Sequence, residues 1–421
     1  MTILFFVFLL RFFLIYLTLI NDSSVSIKGF CVSQTYNCTQ IIKKEFLSMT
    51  IDKHRSATKE RLLSLQVLRF VAATLVVLTH VGDRLDGFAL RYNVDISFVN
   101  FSGRLGVEIF FIISGFIMGY ISIEKFGTIK APITFLAERT MRILPMYWIC
   151  LAFMLFWDQI ATTIGSATLP PNYLINTVKS FAFIPYLNEV GSHRPILAQG
   201  WTLNYEMFFY ALFAASLFFA RRIGISLLAI IFIVLSSLHY LVDLPVIMHI
   251  WTNPIIFLFL IGFFLAIVRS KMERLIKLPG QALVCLLPIF VYTVVWSDGG
   301  APPMAGFISA FICVATCVLF RGETGDSKIT NIAAHMGDAS YSLYLTHGFV
   351  LLFTGIFWRK VFGGEHLWIY TGTVIVLSFI VAHFAYKLLE RPSSRYLRSR
   401  MSPRVLKSSS VDTTLKCVTP K

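Results

Sequence analysis

Arg69 and His80 lie eleven positions apart inside LQVLRFVAATLVVLTH, an otherwise apolar stretch. On a helix rising about 1.5 Å per residue they stand roughly 16 Å apart, half the thickness of a bilayer core. A cation that deep in hydrocarbon costs on the order of 3 kcal/mol. Arg69 therefore either snorkels to the nearer interface or faces a protein interior or watery cavity, where it can hold an anion. His80 either caps the outer end of the helix or serves there as a general base.

Three further constellations could do chemistry. In FLAERTMRILPMYW, Arg139 and Arg142 are three apart, so on a helix both guanidiniums share one face. Two such forks suit phosphate groups, which arginine grips bidentately, although a basic flank of a membrane span would look the same. In QGWTLNYEMFFY, Glu206 falls about one and a half turns inside the outer end of an apolar run. Trp201, Asn204 and Tyr205 put aromatic and hydrogen-bonding groups around it. An intramembrane carboxylate is costly unless neutral or paired, and the depth of Glu206 resembles that of His80. A carboxylate-oriented histidine base is one arrangement these depths allow. In GDASYSLYLTHGF, Tyr344 and His347 either belong to a tightly packed small-residue helix or line the same cavity.

The elements that must position these groups are membrane helices. The chain of 421 residues is 56% hydrophobic and only 14% charged, which excludes an ordinary soluble domain. Apolar runs at 65–82, 106–123, 143–160, 201–220, 223–242, 251–268, 280–296, 304–320, 340–357 and 367–388 predict about ten spans. The expected fold is all-α, a polytopic helical bundle. The net charge of +15 invites a nucleic-acid partner, but the cations gather in alternate loops. Lys53, Arg55, Lys59 and Arg61 precede the first core span, and Arg221, Arg222, Arg269, Lys271 and Arg391 fall on the same side. Positive charge marks the cytoplasm, so both ends of the core are expected inside and no nucleic acid is implied.

Three segments frame this core. Residues 1–48 open with MTILFFVFLLRFFLIYLTLI, an extra anchor, or else precede the true start at Met49. Residues 49–395 form the membrane domain, and 396–421 read as a disordered basic tail. The longest outer segment, 161–200, reads as turns and loop. Cys150, Cys285, Cys313 and Cys317 sit in apolar runs as small hydrophobes, and no cluster with metal-ligand character is visible. Cys31 and Cys38 could pair externally. His239, His249, His366 and His383 lack comparable surroundings and read as structural or interfacial.

Taken in order, LQVLRFVAATLVVLTH, GVEIFFIISGFIM, FLAERTMRILPMYW, QGWTLNYEMFFY and DASYSLYLTHGF resemble the membrane-bound acyltransferase-3 family, in particular its exopolysaccharide-production branch. The resemblance covers residues 61–395. It implies an integral membrane O-acyltransferase of a bacterial inner membrane, using acyl-CoA, usually acetyl-CoA, as co-substrate and no metal. The acceptors it implies are sugar hydroxyls of a surface polysaccharide or lipid-linked glycan. Carried onto this sequence, the family's Arg-x10-His element is Arg69 and His80, its Arg-x-x-Arg element is Arg139 and Arg142, and its membrane Glu is Glu206. Together the two readings give an expected mechanism. Arg139 and Arg142 hold CoA phosphates at the cytoplasmic mouth and Arg69 helps from within. His80 deprotonates a sugar hydroxyl or carries the acyl group. Glu206 orients His80 or binds the sugar, which Trp201, Asn204, Tyr205, Tyr344 and His347 help to seat. The competing class is a transporter of lipid-linked glycan, whose cavity could also be lined by buried charges.

Overall fold

The computed structural model describes residues 39–95, 98, 101–272, 276–296, 302–321 and 327–406. Residues 1–38, with Cys31 and Cys38, and the tail 407–421 lie outside them. By contacts the chain divides into 1–57 and 58–421, and of the first unit only helical backbone from Thr39 is described. The second unit holds every site residue.

The helices are α1 (Thr39–Tyr92), α2 (Gly103–Ser122), α3 (Ala131–Thr163), α4 (Tyr173–Phe181), α5 (Gly200–Ser216), α6 (Arg221–Leu241), α7 (Val246–Trp251) and α8 (Phe257–Lys271). They continue as α9 (Gln281–Val295), α10 (Pro303–Leu319), α11 (Lys328–Asp338), α12 (Ser340–Val361), α13 (Leu367–Ala385) and α14 (Arg391–Leu406). Each of the ten apolar runs is a helix, but only seven described helices are long and apolar enough to cross a membrane. The count of ten spans is thus not confirmed: among the described residues α5, α9 and α10 have 17, 15 and 17 residues. At about 1.5 Å per residue these reach roughly 22–26 Å, short of a hydrocarbon core of about 30 Å. One two-residue parallel pair, Ile276–Lys277 with Phe320–Arg321, ties the chain before α9 to the end of α10.

The bundle exposes large apolar side chains and, inside an apolar core, also buries several polar and charged ones. Phe290, Leu287, Val376 and Phe384 are exposed, whereas Arg69, Arg139, Asn204, Glu108 and His347 are buried. The segment 161–200 shows the same pattern. It contains a helix where turns were expected: α4 exposes Leu174, Ile175 and Val178 and buries Asn176 and Ser180.

Two packings set the site. Helix α2 lies along α8, with Gly115 against the Phe259 carbonyl and Gly262 against that of Ile112; any Cβ there would collide with backbone. Helix α1 presents Ala73, Val77, Val81 and Leu85 to Leu343, Val350, Leu351 and Trp358 of α12 and to Tyr370 and Val374 of α13. This anchored stripe fixes the rotation of α1. Because eleven residues are about three turns, Arg69 and His80 then share one face at different depths.

Candidate functional site

Three cavities run through the unit, and neighbouring ones share walls. The first, of about 490 Å3, is lined by Gln66, Arg69, Tyr120, Arg142, Asp338, Glu390, Arg391 and Arg395 among others; it is the arginine cavity. The second is a chamber of about 100 Å3 reached by Arg69, Arg139, Arg142, Ser114, Glu206, Tyr210, Tyr341 and Tyr344. Phe110, Phe111, Ile113, Ile117, Met118 and Leu203 give it apolar surface, beside Thr202 and Ser340. The third, of about 300 Å3, is lined by His80, Asp83, Arg84, Arg194, Gln199, Trp201, Tyr344 and His347; it is the histidine cavity. Arg69 and Arg142 face both the arginine cavity and the chamber, and Tyr344 faces both the chamber and the histidine cavity.

In the arginine cavity, Arg69 Nη1 donates to Gln66 Oε1 at 2.9 Å, one turn back on α1. Ser342 donates to Glu390 Oε2 at 2.6 Å, so that carboxylate is held to α12. Arg139 and Arg142 do share a face, since both reach the chamber, but only Arg142 also reaches the arginine cavity. Arg139 is buried and lies over the Phe135 ring at 5.9 Å. The expectation that both arginines stand at the mouth with Arg69 deeper is therefore reordered: Arg69 and Arg142 stand between mouth and chamber, and Arg139 lies inside. Pro145 sits within α3, one turn after Arg142.

Glu206 does not pair with His80. Its Oε1 accepts hydrogen bonds from Ser114 at 3.1 Å and from Tyr210, and it faces the chamber with the three arginines. Depth alone placed Glu206 level with His80; the rotation of α5 turns it toward α2 and α3. Ser114 and Tyr210 were not singled out in the sequence, though the serine of FIISGF interrupts an apolar run and Tyr210 is one turn beyond Glu206. Asn204 and Tyr205 are buried and line none of these three cavities. Tyr205 packs among Phe111 and Trp201. Trp201 itself does reach the histidine cavity.

The carboxylate beside His80 is Asp83, whose Oδ2 lies 3.0 Å from Nδ1. A carboxylate accepts, so Nδ1 carries the hydrogen, which leaves Nε2 as the ring's acceptor whenever the imidazole is neutral. His347 stacks on His80, with centroids 5.4 Å apart and planes 13° from parallel. Its Nδ1 donates to the Leu343 carbonyl at 3.1 Å, while Nε2 is buried without a hydrogen-bond partner among the described residues. Two imidazoles of matching tautomer thus stand side by side. Tyr344 closes the gap to the chamber: its hydroxyl donates to the Gln199 carbonyl at 3.1 Å and lies 2.9 Å from Thr202 Oγ1. Near the outer loop, burial and the neighbouring Arg194 and His249 push the His193 imidazole below its ordinary pKa, favouring its neutral form.

Among the described residues no three His, Cys, Asp or Glu side chains form a metal-binding group. Cys150, Cys285, Cys313 and Cys317 are buried free thiols, with Cys285 Sγ 3.6 Å from Cys317 Sγ.

Comparison with known proteins gives this geometry a context. Residues 62–387 match the acyltransferase-3 family, described as an acyltransferase domain. The chain is 31% identical over 304 residues to the exopolysaccharide production protein ExoZ of Rhizobium meliloti, covering 71% of this chain and 92% of that one. It is 25% identical over 350 residues to the putative peptidoglycan O-acetyltransferase YrhL of Bacillus subtilis, covering 74% of this chain and 54% of that one. No solved structure matches.

Proposed function

The chain belongs to the membrane-bound acyltransferase-3 family and is a multi-pass membrane O-acyltransferase, and from that premise we propose that it transfers an acetyl group from cytoplasmic acetyl-CoA to sugar hydroxyls of an exopolysaccharide or similar surface glycan. The observation that carries the reading is the succession of cavities. A guanidinium-rich cavity suits the nucleotide, a narrow chamber suits a short acyl group, and a two-imidazole cavity suits an attacked hydroxyl.

In this reading Arg69 and Arg142 grip CoA phosphates by charge-assisted bonds, and the pantetheine arm bridges the roughly 16 Å of α1 toward His80. His80 Nε2, with Asp83 fixing the tautomer, accepts the proton of the sugar hydroxyl as its oxygen attacks the thioester carbonyl. A C–O bond forms, the C–S bond breaks, and the proton passes to the departing thiolate. The alternative route has His80 attack first and hold the acyl group; only that route leaves a covalent acyl-histidine to trap. His347 Nε2 accepts a hydrogen bond from the acceptor sugar and Trp201 offers it an aromatic face. The chamber's Glu206, Ser114 and Tyr210 are held together by their own hydrogen bonds, which fix the carboxylate beside the arginines. Asn204 and Tyr205 support the wall behind Trp201 instead of touching substrate.

In this reading the arginine cavity faces the cytoplasm and the histidine cavity the outside of a bacterial inner membrane, an orientation that the basic loops support. The test is the ester content of surface polysaccharide in cells lacking the protein, complemented with wild type or His80→Ala. Restoration of one ester by wild type alone supports the reading. Unchanged esters with less polysaccharide outside the cell would replace it with glycan transport.

A further inference from the structure

We propose that Arg391 and Arg395, at the start of the terminal helix, complete the anion site of the arginine cavity and take phosphates of the donor nucleotide together with Arg69 and Arg142. The proposal rests on the acyl-CoA reading above and adds two residues to it that no motif pointed to.

Four guanidiniums from three helices, α1, α3 and α14, line this one cavity of about 490 Å3. The carboxylates on the same wall are Asp338 and Glu390, and Glu390 is buried and held by Ser342. None of the four arginines forms an ion pair with a carboxylate among the described residues. A cavity so walled favours a compact polyanion, and arginine's planar fork matches phosphate oxygens.

The local backbone explains why the last two arginines arrive there. Positions 391 and 395 are four apart on one helix and so share a face, with Ser394 beside them on the same wall. Just before them, Tyr386–Glu390 forms a π turn. Pro392 has no N–H to give, and its ring would collide with the carbonyl one turn back, so an α-helix cannot run through unchanged. The widened turn rotates α14 relative to α13. Such turns recur where a helix is re-aimed at a functional site. Tyr120 and Tyr386 line the same cavity, and Tyr120 stacks on Phe116 at 5.8 Å and 18°. Flat aromatic walls beside phosphate-holding arginines are what a purine nucleotide requires.

A basic helix end at a membrane face also attracts anionic lipid headgroups, whose phosphate chemistry is the same. The experiment separates the two sources. Full-length protein in phosphatidylcholine nanodiscs is titrated with CoA by calorimetry, as wild type, Arg142→Ala, the double variant Arg391→Gln/Arg395→Gln, and the double lysine variant. Ligand-free unfolding temperature controls for folding, and Arg395→Gln alone, at an exposed position, serves if the double variant does not fold. The expected result is CoA binding weakened by about 10- to 100-fold in the double glutamine variant, with lysine restoring most of it. Wild-type affinity in the double variant, with loss in Arg142→Ala, overturns this proposal and leaves the donor reading standing. Failure of wild type to bind CoA removes the donor reading itself and the proposal with it. If CoA affinity is unchanged and the variant instead loses a stabilisation conferred by phosphatidylglycerol, the two arginines hold lipid and the proposal falls.

Discussion

The two larger cavities lie along one face of the same helix, about three turns apart, and both hold charged side chains, but only one of them holds histidines. The arginine cavity is walled by groups that carry charge at any physiological pH and present planar donors. The histidine cavity centres on two imidazoles whose Nδ1 hydrogens point to Asp83 and to the Leu343 carbonyl, leaving their Nε2 atoms as acceptors. Permanent charge holds a polyanion but cannot cycle a proton. A neutral imidazole takes and returns a proton but gives a polyanion little grip. In the proposed reading the contrast divides binding from bond-making, with a chamber of about 100 Å3 between the two ends.

The sharpest way to break that contrast is at His80. His80→Ala should lower turnover by about 10³-fold, within the usual range for loss of a general base, while CoA affinity changes by less than about threefold. Single-turnover acylation and CoA calorimetry on the same preparation check it; parallel losses in both would mean that binding and chemistry are not divided. The converse change is Arg142→Ala. It should weaken CoA about 10- to 100-fold and leave turnover at saturating donor within a few-fold of wild type. A fall in kcat with unchanged KM for the donor would move Arg142 from binding to the reacting atoms. Asp83→Asn sharpens the histidine end. The Asp83 side chain is 64% exposed and can be replaced by water, so the expected loss is near tenfold in kcat with donor KM unchanged. No loss would leave the Leu343 bond of His347 as the tautomer-setting contact of the cavity.

How far this contrast was legible in the sequence depends on which coordinate it needed. Depth along a span follows from counting residues, so Arg69 and His80 fall at separate levels, as their spacing predicts. Rotation does not follow from counting. Glu206 was expected at the depth of His80, but it lies five residues beyond Trp201, lines the chamber with Arg69, and turns to Ser114 and Tyr210 as α5 packs on α3 and α6. Tyr205, next in sequence, faces Phe111 for the same reason. The i, i+3 pair Arg139 and Arg142 shares a face as read, but a shared face says nothing of which member reaches further out. Arg391 and Arg395 looked like a basic flank, since the π turn that re-aims them has only Pro392 as its mark in the sequence. The apolar runs gave every core helix, whereas α4 went unread: its apolar residues face outward around a polar inner side. On this helix the burial pattern inverts, so a reading that looks for an apolar inner face misses it.

The smallest expected effect tests the chamber that separates the two ends. Its surface is mostly aromatic and branched aliphatic, and Tyr344 is pinned across its outer side by Thr202 and the Gln199 carbonyl. If the acyl group rests there, its size is limited by side-chain volume rather than by hydrogen bonding. One methylene in an apolar pocket is worth on the order of 1–3 kcal/mol, so discrimination between acetyl and longer chains should be modest and easy to relax. Phe110→Leu removes bulk from the wall while keeping it apolar. Relative to wild type it should raise kcat/KM for butyryl-CoA over acetyl-CoA by about three- to tenfold, with CoA affinity unchanged. Competition between the two labelled donors at equal concentration measures this ratio directly. An unchanged ratio, with both rates falling together, would mean that the acyl group never enters the chamber. The contrast between an arginine cavity and a histidine cavity would then describe two separate sites instead of two ends of one path.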